Sequence, residues 1–156
     1  TGRRSHRREA VAMAWMIIRV RGTIHARHDI RTTLDQLHLT RPNHATIVPE
    51  RAEFAGMLAA VQGYVTWGEA EPETVRSLLE ERGRTEEDHD LPADPAAEEL
   101  AKTVLVSGLA RTPGVRPLFR LKPPSGGWKS TKRPFALGGA LGYRGRAINE
   151  LARRMI

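Results

Sequence analysis

The chain predicts an α+β fold, and three observations point to it. Short β-branched runs alternate with helical apolar periodicity in the order β-α-β-α-β over residues 16–68. An acidic helical stretch follows. The last third is basic and rich in Gly and Pro. The expected architecture is a small sheet with both early helices on one face, a helical extension and an extended basic loop. The other face of the sheet is expected to stay open to solvent or a partner.

Residues 16–21, MIIRVR, are β-branched and end at Gly22, as a strand does. Residues 29–39, DIRTTLDQLHL, place Ile30, Leu34 and Leu37 near one helical face, with Asp29 as N-cap and Pro42 as stop. Residues 44–48, HATIV, form a second strand closed by Pro49. In residues 51–62 the apolar set is Phe54, Met57, Leu58 and Val61, with Gly63 as C-cap. YVTW at 64–67 is the third strand, and two strand–helix–strand crossovers with short loops result.

Past Gly68 the pattern is helical. Residues 72–82 open with Pro72 and Glu73 in the first turn. Residues 83–94 are an acidic connector, and 95–110 form a helix burying Leu100, Val104 and Leu105. Residues 117–121 make one more strand. The chain ends in an amphipathic helix carrying Ile148, Leu151 and Met155 on one side. The expected organisation is a basic arm at 1–15, a core at 16–68, an acidic helical extension at 69–118, and a basic loop with a terminal helix at 119–156.

Composition narrows the function. There is no Cys, which removes disulfides, thiolate metal sites and Cys nucleophiles together. Aromatics make up only 5% of the chain, so the core must be aliphatic. No apolar run approaches the roughly 20 residues a membrane helix needs. Arg19 and Arg21 interrupt the one apolar stretch that follows the basic N-terminus, so no signal peptide is expected there. A soluble, intracellular protein is expected.

Charge is unevenly placed. Residues 1–68 carry 10 Lys/Arg and 5 Asp/Glu, residues 69–99 carry 3 and 12, and residues 100–156 carry 12 and 1. The final segment, net +11, repels itself and calls for a polyanion. Arg outnumbers Lys, and its planar fork suits bidentate phosphate contacts. The acidic 69–99 stretch is expected to face solvent or a basic neighbouring protein.

Enzymatic readings fail on residue chemistry. PSGGWKST superficially resembles a phosphate-binding loop, but Trp128 stands where Gly must precede Lys129, and Pro134 interrupts any following helix. His25, His28 and Asp29 lie close together without a second ligand group at metal spacing. The carboxylates are bunched in a solvated run rather than paired for acid–base work.

The basic loop is more informative. KPPSGGWKSTKRPFALGGALGYRGR, residues 122–146, holds no acid. Trp128, Phe135 and Tyr143 alternate with Lys129, Lys132, Arg133, Arg144 and Arg146, which matches what unpaired bases and phosphates need. The bland alternative is that the rings anchor the loop on the protein's own core, Phe135 first. Gly126, Gly127, Gly138, Gly139 and Gly142 let backbone approach phosphates, and Pro123, Pro124 and Pro134 limit the entropy lost on ordering. Such a segment is expected to have no stable conformation until nucleic acid surrounds it.

IIRVRG at 17–22, NHATIVPE at 43–50, FAGMLAAVQGYVTWGE at 54–69 and the late FRLKPPSGGW…GGALGYRGRAINELARRM at 119–155 resemble the large-subunit ribosomal protein L-thirty family. The likeness is to its longer archaeal form, kin to eukaryotic ribosomal protein L-seven, and covers residues 16–156. It implies a ferredoxin-like core without catalytic activity or cofactor, assembled in the cytoplasm into the ribosome. Implied partners are large-subunit rRNA of the 23S type, 5S rRNA as a further candidate, and neighbouring large-subunit proteins; no membrane or small-molecule substrate is implied. Carried over by position, rRNA contacts fall on Arg120, Lys122, Lys129, Lys132, Arg133, Arg144 and Arg146, with Arg19, Arg21, Arg27 and Arg31 as weaker additions. Gly126, Gly127, Trp128, Gly138, Gly139 and Tyr143 complete the candidate set. Residues 1–15 precede the usual start: either Met13 or Met16 is the initiator, or the stretch is a basic arm on rRNA. The rival function is a regulatory module outside the ribosome that binds single-stranded RNA on the sheet. Its strands offer only Trp15, Tyr64 and Trp67, without the aromatic pair such sheets display.

Overall fold

In a computed structural model the described residues are 14–22, 26–85, 96–112, 114–128 and 133–156. The elements run β1 (Ala14–Arg19), α1 (His28–Gln36), β2 (His44–Pro49), α2 (Ala52–Val61), β3 (Val65–Glu69), α3 (Pro72–Arg82), α4 (Ala96–Ser107), β4 (Phe119–Arg120), β5 (Gly142–Tyr143) and α5 (Ala147–Met155). One five-stranded sheet has the order β4-β2-β1-β3-β5. β1 is antiparallel to both β2 and β3, so these two run parallel with β1 between them. The β2-α2-β3 unit is therefore a split crossover, whereas β1 and β2 are antiparallel neighbours. β4 adds antiparallel to β2, and β5 adds parallel to β3, giving a mixed sheet consistent with a ferredoxin-like arrangement.

Period-two alternation sorts β1 between two cores. Trp15 and Ile17 point towards α1 and α2, where Leu34, Leu58, Val61 and Val65 are buried. Ala14, Met16 and Ile18 point the other way, into a cluster with Ala45, Ile47, Val75, Leu78, Val104, Leu105, Ile148 and Leu151. This corrects the expectation of an open second face. Residues 14–18 of β1 are apolar on both sides, Ala45 and Ile47 of β2 extend the second apolar side, and α3, α4 and α5 cover the side that α1 and α2 leave bare. Strands buried on both faces read as continuous apolar runs, as MII in β1 does.

Pro72 sits at the start of α3, where its missing N–H costs nothing. In α1, Arg27 holds the N-cap position, two residues before the expected cap. Asp29 lies in the first turn, where its Oδ1 accepts from the Ile30 N–H at 2.9 Å. α5 buries Ile148, Leu151, Ala152 and Met155. Each large apolar side chain contributes about 2 kcal/mol when buried. The exposed Arg153–Glu71 pair at 3.4 Å is worth well under about 1 kcal/mol. Packing, not charge pairing, holds this basic helix down. Among the described residues no helix is long and apolar enough to cross a membrane.

One buried polar side chain and one glycine seat α5 on the sheet. Asn149 Oδ1 accepts from the Glu71 N–H at 2.8 Å, and Nδ2 donates to the Glu69 and Arg146 carbonyls at 2.9 and 3.0 Å. Gly68 lets the chain before α5 come close, because a Cβ there would overlap the Gly145 carbonyl. Gly68→Ala should lower stability to urea by about 1–3 kcal/mol. Gly63→Ala, where added volume meets open space, should change it by under about 0.5 kcal/mol. Equal unfolding midpoints for the two variants would contradict this docking.

Candidate nucleic-acid interface

The basic segment is held by the protein at several points. β4 starts it at one edge of the sheet and β5 ends it at the opposite edge. Between them Leu121 joins the second core, the Lys122 N–H donates to the Met155 carbonyl at 2.9 Å, and the Ser125 N–H to that of Arg154 at 3.0 Å. Residues 133–141 close on themselves: the Phe135 N–H donates to the Leu141 carbonyl at 2.6 Å, and the Leu141 N–H to that of Arg133 at 3.1 Å. The Arg144 N–H then donates to the Trp67 carbonyl at 2.8 Å. These contacts give the described parts of the segment a defined path on the protein. Leu121, Ala140 and Leu141 are buried, and they give the stretch apolar anchors that its Gly and Pro content obscures. It is a strap from edge to edge rather than one free loop.

The candidate cations divide by environment. Lys122, Arg133 and Arg146 are exposed. Arg120 is exposed on β4, on the far edge of the sheet from Arg144, so the two do not share one surface. Lys129 and Lys132 lie outside the described residues. Arg27 and Arg31 are exposed at the start of α1, and Arg27 pairs with Asp29 at 3.3 Å. Arg21 donates to the Gly63 carbonyl and lies over the Tyr64 ring, 5.3 Å from its centre.

Arg19 is a correction. It is only 4% exposed, and Nε and Nη1 donate to the Arg21 and Leu39 carbonyls, both at 2.9 Å. Burial pushes its pKa down, with Asp35 opposing. Its work is to satisfy backbone at the end of β1, not to reach a phosphate.

Arg144 is half inside. Nε donates to Thr66 Oγ1 at 2.8 Å and Nη2 to the Ala140 carbonyl at 2.9 Å, while the guanidinium carbon sits 4.7 Å from the centre of the Phe135 ring. Desolvation first, then the Arg154 charge, push its pKa down to about 10, with Glu150 opposing, so it remains a cation at neutral pH.

The rings take different roles from those expected. Trp128 is half-buried and packs on the core, whereas Phe135 is 39% exposed. Trp128, not Phe135, is the anchor. Tyr143 keeps 52% of its surface exposed, and its hydroxyl donates to Glu69 at 2.7 Å. Among the glycines, Gly126, Gly127 and Gly138 are exposed. Gly139 is buried, and a Cβ there would overlap the Arg133 carbonyl that the closed loop brings against it. Its reason is internal packing rather than clearance for a ligand. Two carboxylates of the acidic stretch pair at the surface with the protein's own side chains, Glu69 with Tyr143 and Glu71 with Arg153.

Sequence reasoning missed a second cationic site. Arg82, Arg84, Arg116 and Arg120 line a cavity of about 170 Å³ beside Glu81 and Leu118. The Arg116 N–H donates to the Arg84 carbonyl at 2.8 Å, bringing the end of α3 against the approach to β4. Arg82 and Arg84 were hidden because they fall in the acidic window of the sequence. On the same edge His44 stands opposite Arg120, and its pKa is pushed down by burial and then by Arg120, Arg41 and Arg19. Among the described residues no set of His, Asp or Glu side chains converges as a metal site.

Comparison with known proteins decides the lineage. The family model described as Ribosomal protein L30p/L7e matches residues 15–65. The large ribosomal subunit protein uL30 of Methanopyrus kandleri is 40% identical over 149 residues, covering 88% of this chain and all of the relative. The chain belongs to the uL30 ribosomal protein family. The uL30 proteins of Korarchaeum cryptofilum and Nanoarchaeum equitans are 41% and 39% identical, covering 90% and 91% of this chain and 93% and 98% of their own lengths. Membership is of the archaeal type, homologous to eukaryotic L7, and makes the chain a structural protein rather than an enzyme.

The Tyr143–Glu69 contact gives a pH signature at the strap's end. The carboxylate beside the hydroxyl pushes the Tyr143 pKa up to about 12 from its ordinary 10. Unfolded, the tyrosine loses its proton earlier. Its contribution to stability is therefore complete below pH 10 and lost as the pH rises towards 12. Ultraviolet titration should show Tyr143 ionising late, and Glu69→Gln should return it towards the ordinary range. Unchanged titration in Glu69→Gln would contradict the contact.

Proposed function

We propose that the chain is a structural constituent of the large ribosomal subunit that binds and stabilises large-subunit rRNA through its basic strap and adjoining core surface. The observation that carries this reading is the strap itself. The acid-free run 122–146 is tied in its described parts to both the sheet and α5, so the charges of Lys122, Arg133 and Arg146 are presented in a set arrangement. Phosphate contacts by Lys122, Lys129, Lys132, Arg133 and Arg146 release counterions and supply affinity. The shape of the strap then selects the site, since backbone contacts position a protein without reading sequence. Arg120 and the arginines around it at the other sheet edge supply a second contact surface. Partners are rRNA of the 23S type, 5S rRNA as a further candidate, and neighbouring large-subunit proteins, within the cytoplasmic ribosome.

The single-stranded RNA regulator loses its platform. Such a module stacks bases on an open sheet face. Here α1 and α2 cover one face and α3, α4 and α5 the other.

Replacing Lys129, Lys132 and Arg133 together by Gln should weaken binding to large-subunit rRNA and flatten its salt dependence. The slope of log affinity against log salt should fall by about 1 for each phosphate that the variant no longer neutralises. Binding isotherms at several salt concentrations measure it; an unchanged slope removes these residues from the phosphate-binding set.

A further inference from the structure

A cavity of about 240 Å³ lies where the strap passes α5, and the phosphate-binding residues of the strap leave it unused. Trp128, Phe135, Arg144, Ala147, Glu150 and Arg154 line it, with glycine backbone completing the wall. In the sequence Arg154 shows only as part of the polar face of a helix.

The two guanidinium groups are poised but not satisfied. Arg144 commits Nε and Nη2 to the protein, leaving Nη1 without a hydrogen-bond partner among the described residues. Arg154 donates Nη1 to the Ser125 carbonyl at 3.1 Å. Its Nε is buried 3.2 Å from Glu150 Oε2, yet out of line for a hydrogen bond, so it has no such partner. The two cations also feel each other, since the Arg154 charge lowers the Arg144 pKa. An anion between them relieves that repulsion and takes up the unused Nη1 of Arg144.

The rest of the wall suits a flat heteroaromatic ring. Trp128 and Phe135 offer aromatic surface, and Phe135 already carries the Arg144 guanidinium on its ring. The Glu150 carboxylate repels an anion on its own side but accepts from imino or amino N–H groups. Phosphate at one end and a base edge with N–H donors at the other meet both demands. A stacked duplex cannot, because its bases are not available singly.

We propose that this cavity receives one unstacked nucleotide of the bound RNA. The phosphodiester bridges Arg144 and Arg154, the base lies against Trp128 and Phe135, and Glu150 accepts from the base edge. This inference rests on the rRNA-binding reading and adds a defined nucleotide site to it.

The test is rebinding of the full chain to large subunits stripped of it, followed by base-specific chemical probing of the rRNA. Two variants are used: Ala147→Phe, which fills the cavity without removing charge, and Arg154→Gln. Wild type should protect one base, and each variant should raise that base's reactivity at least about fivefold while the remaining footprint stays. Ultraviolet crosslinking of the wild-type complex should join the same nucleotide to Trp128. If wild type rebinds and both variants leave the footprint unchanged, the nucleotide site is refuted while rRNA binding stands. If wild type fails to rebind, both readings fall. Should Ala147→Phe not fold, as judged by circular dichroism, Arg154→Gln and the crosslink decide the matter.

Discussion

Burial of the second face of the sheet is the constraint on which the rest of the molecule depends. Met16, Ile18, Ala45 and Ile47 place apolar surface on the side away from α1 and α2. Left uncovered, that surface would cost several kcal/mol in exposed side chains. α3, α4 and α5 cover it, and Phe119, Leu121 and Trp128 bring the strap in with them. The apolar contacts thus decide where the charges go. A segment that would repel itself in isolation is drawn across the protein by a handful of buried side chains at its ends and middle.

The polar contacts then set the details. Asn149 joins α5 to the turn between β3 and α3, and Arg144 reaches through Thr66 to the carbonyl of Gly142, where Thr66 donates at 2.7 Å. These groups are buried or half-buried, so each must be satisfied, and each one fixes a local geometry. Arg19 shows that a cation in a basic protein is not automatically a ligand contact, since its guanidinium donates to the Arg21 and Leu39 carbonyls. Among the described residues of the strap, Lys122, Arg133 and Arg146 are the exposed cations.

The core order β-α-β-α-β was legible because its strands and helices are short, strongly periodic and separated by Gly or Pro. The bounds of α3 were legible to the residue, because Pro72 and the charge pattern mark them. The covering of the second face was not. It depends on α4 and α5 returning from roughly 80 or more residues away in the sequence relative to β1, which local patterns do not encode. The strap was misread for a related reason. Its fixing points, Leu121, Ala140 and Leu141, are isolated residues without periodicity, and β4 and β5 are two residues each. Charge counting found the strap but missed Arg82 and Arg84, which sit among carboxylates, and Arg154, which shares its helix with the buried face.

Amide hydrogen exchange on the purified, RNA-free chain shows whether the protein itself fixes the strap. The Lys122, Ser125, Leu141 and Arg144 amides, each bonded to a carbonyl in the structure, should be slowed at least about a hundredfold relative to an unfolded chain. Exchange of these four at unfolded-chain rates, with the β1 amides still protected, would contradict it.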